Sequence, residues 1–213
     1  MRRAAIGVRM HSGWGALVAV SNRADALEVI ERRRVAVTTP ASPGAKQPYH
    51  FAENLELQEA EKFLRNYIAI SKSLAVTAVR TVVQDLGRRG YRIEGCAVLL
   101  GSGRPLPPLV KILSSHALIH AAEGELFRAI VSKACDDLKL PVIGIPERHL
   151  NEQMQMKFGE AAEQMSRQVA LLGRSIGPPW TKDQKTAALA AALILTELQG
   201  QVLGTFAHEK KGI

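Results

Sequence analysis

Aromatic side chains make up 5% of this 213-residue sequence, and cysteine occurs twice, at Cys96 and Cys135. The two cysteines stand in apolar surroundings without CxxC spacing, which excludes a zinc ribbon or dithiol redox pair and marks both as small core residues. So few aromatics leave little for a base-stacking platform, and Trp14 and Trp180 are expected to pack rather than to stack on bases. Long apolar runs are missing too. The run at residues 187–195 is too short and alanine-rich to span a membrane. Met1-Arg2-Arg3 leads into strand-like alternation rather than the apolar core of a signal peptide. The expected setting is a reducing cytoplasm with no membrane partner. There is no internal repeat, and the Gly101-Ser102-Gly103-Arg104 turn is not a phosphate loop, because its glycines are too close and no Gly-Lys-Ser/Thr follows. No cofactor is expected.

Apolar residues are 46% of the chain, enough to bury one substantial core, and residues 1–213 read as a single domain. Lysine and arginine outnumber the acids by 28 to 20, for a net charge of +8. The excess is uneven, clustering at Arg2, Arg3, Arg9 and the Arg32-Arg33-Arg34 run, then at Arg88, Arg89, Arg92, Arg104 and Lys111. Such clusters are a footprint for phosphates, or simply a means of staying soluble.

Periodicity divides the chain. Residues 6–20 and 26–37 carry apolar and β-branched side chains and form a hairpin across the polar turn Ser21-Asn22-Arg23-Ala24-Asp25. Residues 38–48 are rich in turn formers and read as a flexible loop before a short strand at 49–51. From 55 to 86 the apolar spacing becomes three and four, the stripe of an amphipathic helix ended by Gly87 and Gly90. Residues 96–100 and 142–145 are short apolar runs, as in strands covered on both faces. Helices are expected from Ser114 or Ser115 to about Asp137, at 160–172, and at 182–198 after the Gly-Pro-Pro-Trp break, with a tail from about 200. The order describes an α/β fold with a mixed sheet flanked by helices.

Gly7-Val8-Arg9-Met10 followed by Ser12-Gly13-Trp14-Gly15 matches the form of a first strand written G-I-D-P, then a small loop and G-x-G. Ala122-Glu123-Gly124-Glu125-Leu126-Phe127 is similar to an A-R-G-V-L-L-like element. Leu171-Leu172-Gly173, Pro178-Pro179 and the Ala188 to Leu193 run are similar to a Leu-Leu-Gly, proline-rich break and alanine-leucine helix. In these elements and their order the chain resembles the bacterial Holliday-junction resolvases of the ribonuclease H-like superfamily. The resemblance implies a ribonuclease H-like fold, a homodimer in contact through amphipathic helices, and acidic residues that hold two magnesium ions across a phosphate. It also implies where those acids should be. The first falls on Arg9, the second within Leu99-Leu100-Gly101-Ser102-Gly103, and the final pair on Gln184 and Ala187, with Asp183 one residue off register. An arginine cannot ligate a metal. The fold is therefore expected without the family's reaction, as a non-catalytic or repurposed module for nucleic acid or another anionic partner.

Arg9 has two readings. It turns a metal site into an anion site together with the Ser12-Gly13 backbone, or it is a salt-bridged residue on a repurposed scaffold. Arg32, Arg33, Arg34 and Arg104 join it as candidate nucleic-acid contacts, and Gly101, Ser102 and Gly103 as an anion-binding turn or a plain one. The alternative function is a metal-assisted or acid/base hydrolase. His116, His120 and Glu123 are spaced i, i+4, i+7 and are expected on one helix face, opposite Ile119, Ala122, Leu126, Ala129 and Ile130, where they form a metal site, an acid/base site or a polar face.

Overall fold

The stretch at residues 6–20 is two strands, not one. In the computed structural model, which describes residues 1–23, 26–101 and 103–208, strands β1 (Arg2–His11) and β2 (Trp14–Arg23) pair antiparallel across a turn at Ser12-Gly13. Gly13 takes φ +79°, open to glycine at little cost, and a Cβ there would stand 2.7 Å from the Thr38 hydroxyl. Strand β3 (Ala26–Ala36) pairs antiparallel with β2 and completes a meander.

Helix α1 (Pro48–Ala52) occupies the place of the short strand expected at 49–51. Pro48 stands at the start of the helix, where its fixed φ suits the first turn and its missing N–H costs nothing. Helix α2 (Leu57–Arg88) buries Ala60, Leu64, Tyr67, Ser71, Ala75, Val79, Val82 and Leu86, a stripe at steps of three and four. Gly87 lies within α2, and the chain turns away at Gly90, with φ +83°. Tyr67 also donates to the Ala45 carbonyl at 2.7 Å, tying the 38–48 segment to this helix.

Strand β4 (Tyr91–Leu100) lies parallel to β1, and β5 (Val142–Pro146) lies parallel to β4, giving the mixed order β3-β2-β1-β4-β5. Between them run α3 (Leu109–Leu113) and α4 (His116–Asp137). After β5 come a 3-10 turn (Glu147–His149), α5 (Leu150–Phe158), α6 (Ala161–Ile176) and α7 (Lys182–His208). Helices α3 and α5 were not legible as periodic segments, and α7 continues past residue 200, where a tail is expected.

Alternation along β1 assigns its two faces. Ala4, Ile6, Val8 and Met10 join the core beneath α2 and α4, with Cys96 and Cys135 buried and unlinked among them. Ala5, Gly7, Arg9 and His11 face the other way, and Ala5 packs with the alanine-rich side of α7. A Cβ on Gly7 would fall 1.9 Å from the Ala187 carbonyl oxygen, so helix and strand meet backbone to backbone. No helix among the described residues is long and apolar enough to cross a membrane.

Candidate functional site

The close approach at Gly7 sets the next contact. Arg9 is two residues further along the same face of β1, and Asp183 is one turn before Ala187 on α7, so the two side chains meet. Arg9 Nη1 donates to Asp183 Oδ1 at 2.5 Å, while its Nε and Nη2 donate to the two oxygens of Glu147, each at 3.0 Å. Glu147 opens the 3-10 turn at the carboxyl end of β5. A two-pronged guanidinium–carboxylate pair is the geometry in which arginine binds best. The hydrogen bonds that Arg9 donates to Glu147, above all, raise its pKa above the ordinary value. His11 Nε2 lies 3.0 Å from Asp183 Oδ2, which places the ring proton on that nitrogen. The 3.2 Å approach of Arg9 Nη1 to the same nitrogen is then a contact between two donors, not a hydrogen bond. The His11 ring stacks on Trp14 at 4.4 Å and 12°, and the Arg34 guanidinium stands 3.9 Å from the Trp14 ring centroid.

Arg9 is thus salt-bridged. Its charge is spent on two acids, one of which, Glu147, the sequence did not single out. Other members of the basic set are also engaged. Arg32 donates to the carbonyls of Ile176, Gly177, Pro178 and Pro179 at 2.5 to 3.2 Å, clamping the end of α6. Arg33 pairs with Asp85 at 2.5 Å and with Glu31 at 3.1 Å. Gly13 sits against Thr38 and Ala45, and its carbonyl accepts the Val37 N–H at 3.0 Å. Ser12 is exposed beside it.

Arg104 belongs to a different surface. With Gly101, Leu106, His120, Glu125 and Arg128 it lines a cleft of about 460 Å³ between the segment after β4 and helix α4. A second cleft, of about 520 Å³, is lined by Leu100, Gly101, Arg128, Glu147 and Arg148. The two share Gly101 and Arg128, so they adjoin along the carboxyl ends of β4 and β5, the edge at which α/β sheets bind ligands. A Cβ at either Gly101 or Gly124 would come within 3.0 Å of Arg128 Nη1, so these two glycines make room for that guanidinium. Arg128 and Arg148 are missing from the sequence-based set because nothing local distinguishes them from other surface arginines. Ser102 lies outside the described residues, and Gly103 is exposed.

The α4 constellation also differs from its expected form. His116 and His120 are exposed and one turn apart, with their Nε2 atoms 3.0 Å from each other. Glu123, seven residues after His116, lies at the inner, covered edge of that face. It is buried with Ile119, Ala122 and Leu126, because the backbone N–H groups of Tyr49 and His50 at the start of α1 donate to its Oε1 at 2.8 and 3.2 Å. Burial pushes the Glu123 carboxyl above its ordinary pKa, against the opposing pull of its bonds with His50. The same oxygen lies 3.3 Å from His50 Nδ1, which brings a third imidazole beside the other two.

The mixed five-stranded sheet with helices on both faces is the ribonuclease H-like arrangement. No family model matches the chain, and no curated protein matches its sequence. Among solved structures it is similar to Thermus thermophilus RuvC in complex with a Holliday junction substrate, at TM-score 0.51 and 14% identity over 92% of this chain and 96% of that one. A second structure of T. thermophilus RuvC aligns at TM-score 0.49 and 13% identity, again over 92% and 96%. At such identity the likeness is one of fold.

Proposed function

We propose that this chain is a ribonuclease H-like scaffold that binds an anionic polymer, nucleic acid first among them, without two-metal phosphodiester cleavage. One observation carries the reading: a guanidinium on the first strand stands between the carboxylates of Glu147 and Asp183. Two-metal catalysis needs carboxylate oxygens turned toward cations. Here Arg9 is the cation, covalently part of the chain, and a magnesium ion would have to displace it against like charge.

Binding falls to the groove at the carboxyl ends of β4 and β5, where Arg104, Arg128 and Arg148 stand along adjoining clefts. The net charge of +8 supports attraction to a polyanion, and a similar fold has been solved on a Holliday junction. Arg9, Arg32 and Arg33 serve this function indirectly, as internal ties. A homodimer belongs to the same reading, with Leu57 and Ile70 exposed on α2 as apolar contacts, and light scattering on the purified chain tests it.

The test is fluorescence anisotropy of labelled four-way and duplex DNA in chelator across a salt series. Affinity should persist without divalent ions and fall steeply with salt as counterions compete for the phosphates. Affinity that is absent at low salt, or that ignores salt, overturns the reading.

A further inference from the structure

We propose that His50, His116 and His120 bind one divalent transition-metal ion, zinc by ligand chemistry, with Glu123 holding His50 from behind. The inference is independent of the DNA-binding reading and uses different residues from the Arg9 cluster.

Two helices converge here. Helix α4 presents His116 and His120 at i and i+4, the spacing that stacks two side chains on one face. Helix α1 packs across the start of α4 and adds His50, separated from the others by more than sixty positions in sequence but set edge-on to both rings, at 5.2 and 4.8 Å between centroids. One nitrogen of each imidazole lies within 4.8 Å of the others. Two imidazoles sharing a tetrahedral zinc at about 2.0 to 2.1 Å hold their nitrogens about 3.3 Å apart, close to the 3.0 Å between the Nε2 atoms of His116 and His120.

Behind this trio is the feature that separates a metal site from a chance cluster. Metal-ligating histidines commonly donate their second ring N–H to a carboxylate, which fixes the tautomer and strengthens the ligand. Glu123 is placed for that with His50: its Oε1 is 3.3 Å from Nδ1 and is itself fixed by two backbone N–H groups. With Nδ1 engaged, Nε2 of His50 is the nitrogen left to ligate. The other oxygen of Glu123 is buried with no hydrogen-bond partner, an anion in need of a nearby positive charge. Three neutral imidazoles and no thiolate suit zinc, and copper, nickel or cobalt after it. His116 and His120 are exposed, so a fourth coordination position opens to solvent, beside the cleft that His120 shares with Arg104 and Arg128.

The experiment is calorimetric titration of chelator-treated full-length protein with zinc, paralleled by cobalt titration followed by visible absorption. One equivalent should bind, with the absorption of four-coordinate cobalt. His50→Ala, His116→Ala and His120→Ala should each weaken binding at least tenfold. Glu123→Gln should weaken it about 10- to 100-fold, with the circular dichroism spectrum retained. Zinc should raise the melting temperature of the wild-type chain and not that of His120→Ala. Since His116 and His120 are exposed, their variants fold whatever becomes of the buried Glu123. Less than one equivalent bound, or unchanged affinity in His116→Ala and His120→Ala, overturns the proposal.

Discussion

Arg9 Nη1 and Asp183 Oδ1 stand 2.5 Å apart, adding a second contact between β1 and α7 to the close approach of Gly7 and Ala187, so that the two pairs form one short ladder from strand to helix. The guanidinium is a partly buried tie between β1, the turn after β5 and the first turn of α7. Arg9→Ala leaves Glu147 and Asp183 facing each other, and chemical denaturation should show a loss of about 1 to 3 kcal/mol. Arg9→Asp should be at least as unstable in chelator but regain melting temperature on adding manganese, since three carboxylates then converge. An Arg9→Asp variant indifferent to manganese would show that this corner cannot be made to hold a metal.

Gly7 is what permits the ladder. A Cβ at this position would stand 1.9 Å from the Ala187 carbonyl oxygen, and backbone on both sides leaves no flexible atom to yield. Gly7→Val should lower stability by about 1 to 3 kcal/mol or more, read as a lower urea midpoint. A wild-type midpoint would mean that α7 does not sit against β1 as described.

How much of this was legible in the sequence follows the range of the forces involved. Helix α2 could be read because burial on one side imposes a local period, and β4 because a strand covered on both faces becomes an apolar run; β5 carries a similar apolar run at the edge of the sheet, where Ile145 is its buried residue. The break between β1 and β2 was hidden, because Ser12-Gly13 is a two-residue turn with no polar cluster around it. Tyr49, His50 and Phe51 look like a strand by propensity, but Pro48 and the carboxylate of Glu123, 73 positions from His50, favour a helical turn. Separation along the chain likewise hid His50 from the histidine cluster, and Glu147, 138 positions from Arg9, from the Arg9 cluster. At the histidine site the sequence exposed the members on α4 and concealed the partner on α1, and at the Arg9 site it exposed Arg9 and Asp183 and concealed Glu147.

Acid should loosen one of the internal ties in a defined direction. The hydrogen bond from Arg33, above all, holds the Asp85 carboxyl below its ordinary value of 3.8. A depressed folded pKa means that the contribution of this pair is complete above the unfolded value and is lost as pH falls through the folded one. In an NMR titration the Asp85 carboxyl should therefore titrate below 3.8, and Arg33→Ala should move its midpoint upward. An unmoved midpoint would show that Arg33 is not held by Asp85 and is available to a ligand.

The groove and the internal ties should separate in salt dependence. Arg104→Ala and Arg128→Ala should each weaken DNA binding across all sequences and reduce the slope of log affinity against log salt by about 1. Arg32→Ala, which removes the clamp on the four carbonyls from Ile176 to Pro179, should lower stability and leave the slope as it was. The opposite pattern would move the binding surface from the strand ends to β3.

Incubating the purified chain with four-way DNA junctions in magnesium or manganese tests the central claim most directly. Because Arg9 already occupies Glu147 and Asp183, the junctions should remain intact at protein concentrations that bind them fully. Divalent-dependent cleavage that copurifies with the protein and disappears in Asp183→Asn or Glu147→Gln would contradict it, by showing that these carboxylates give up the guanidinium and hold catalytic metals.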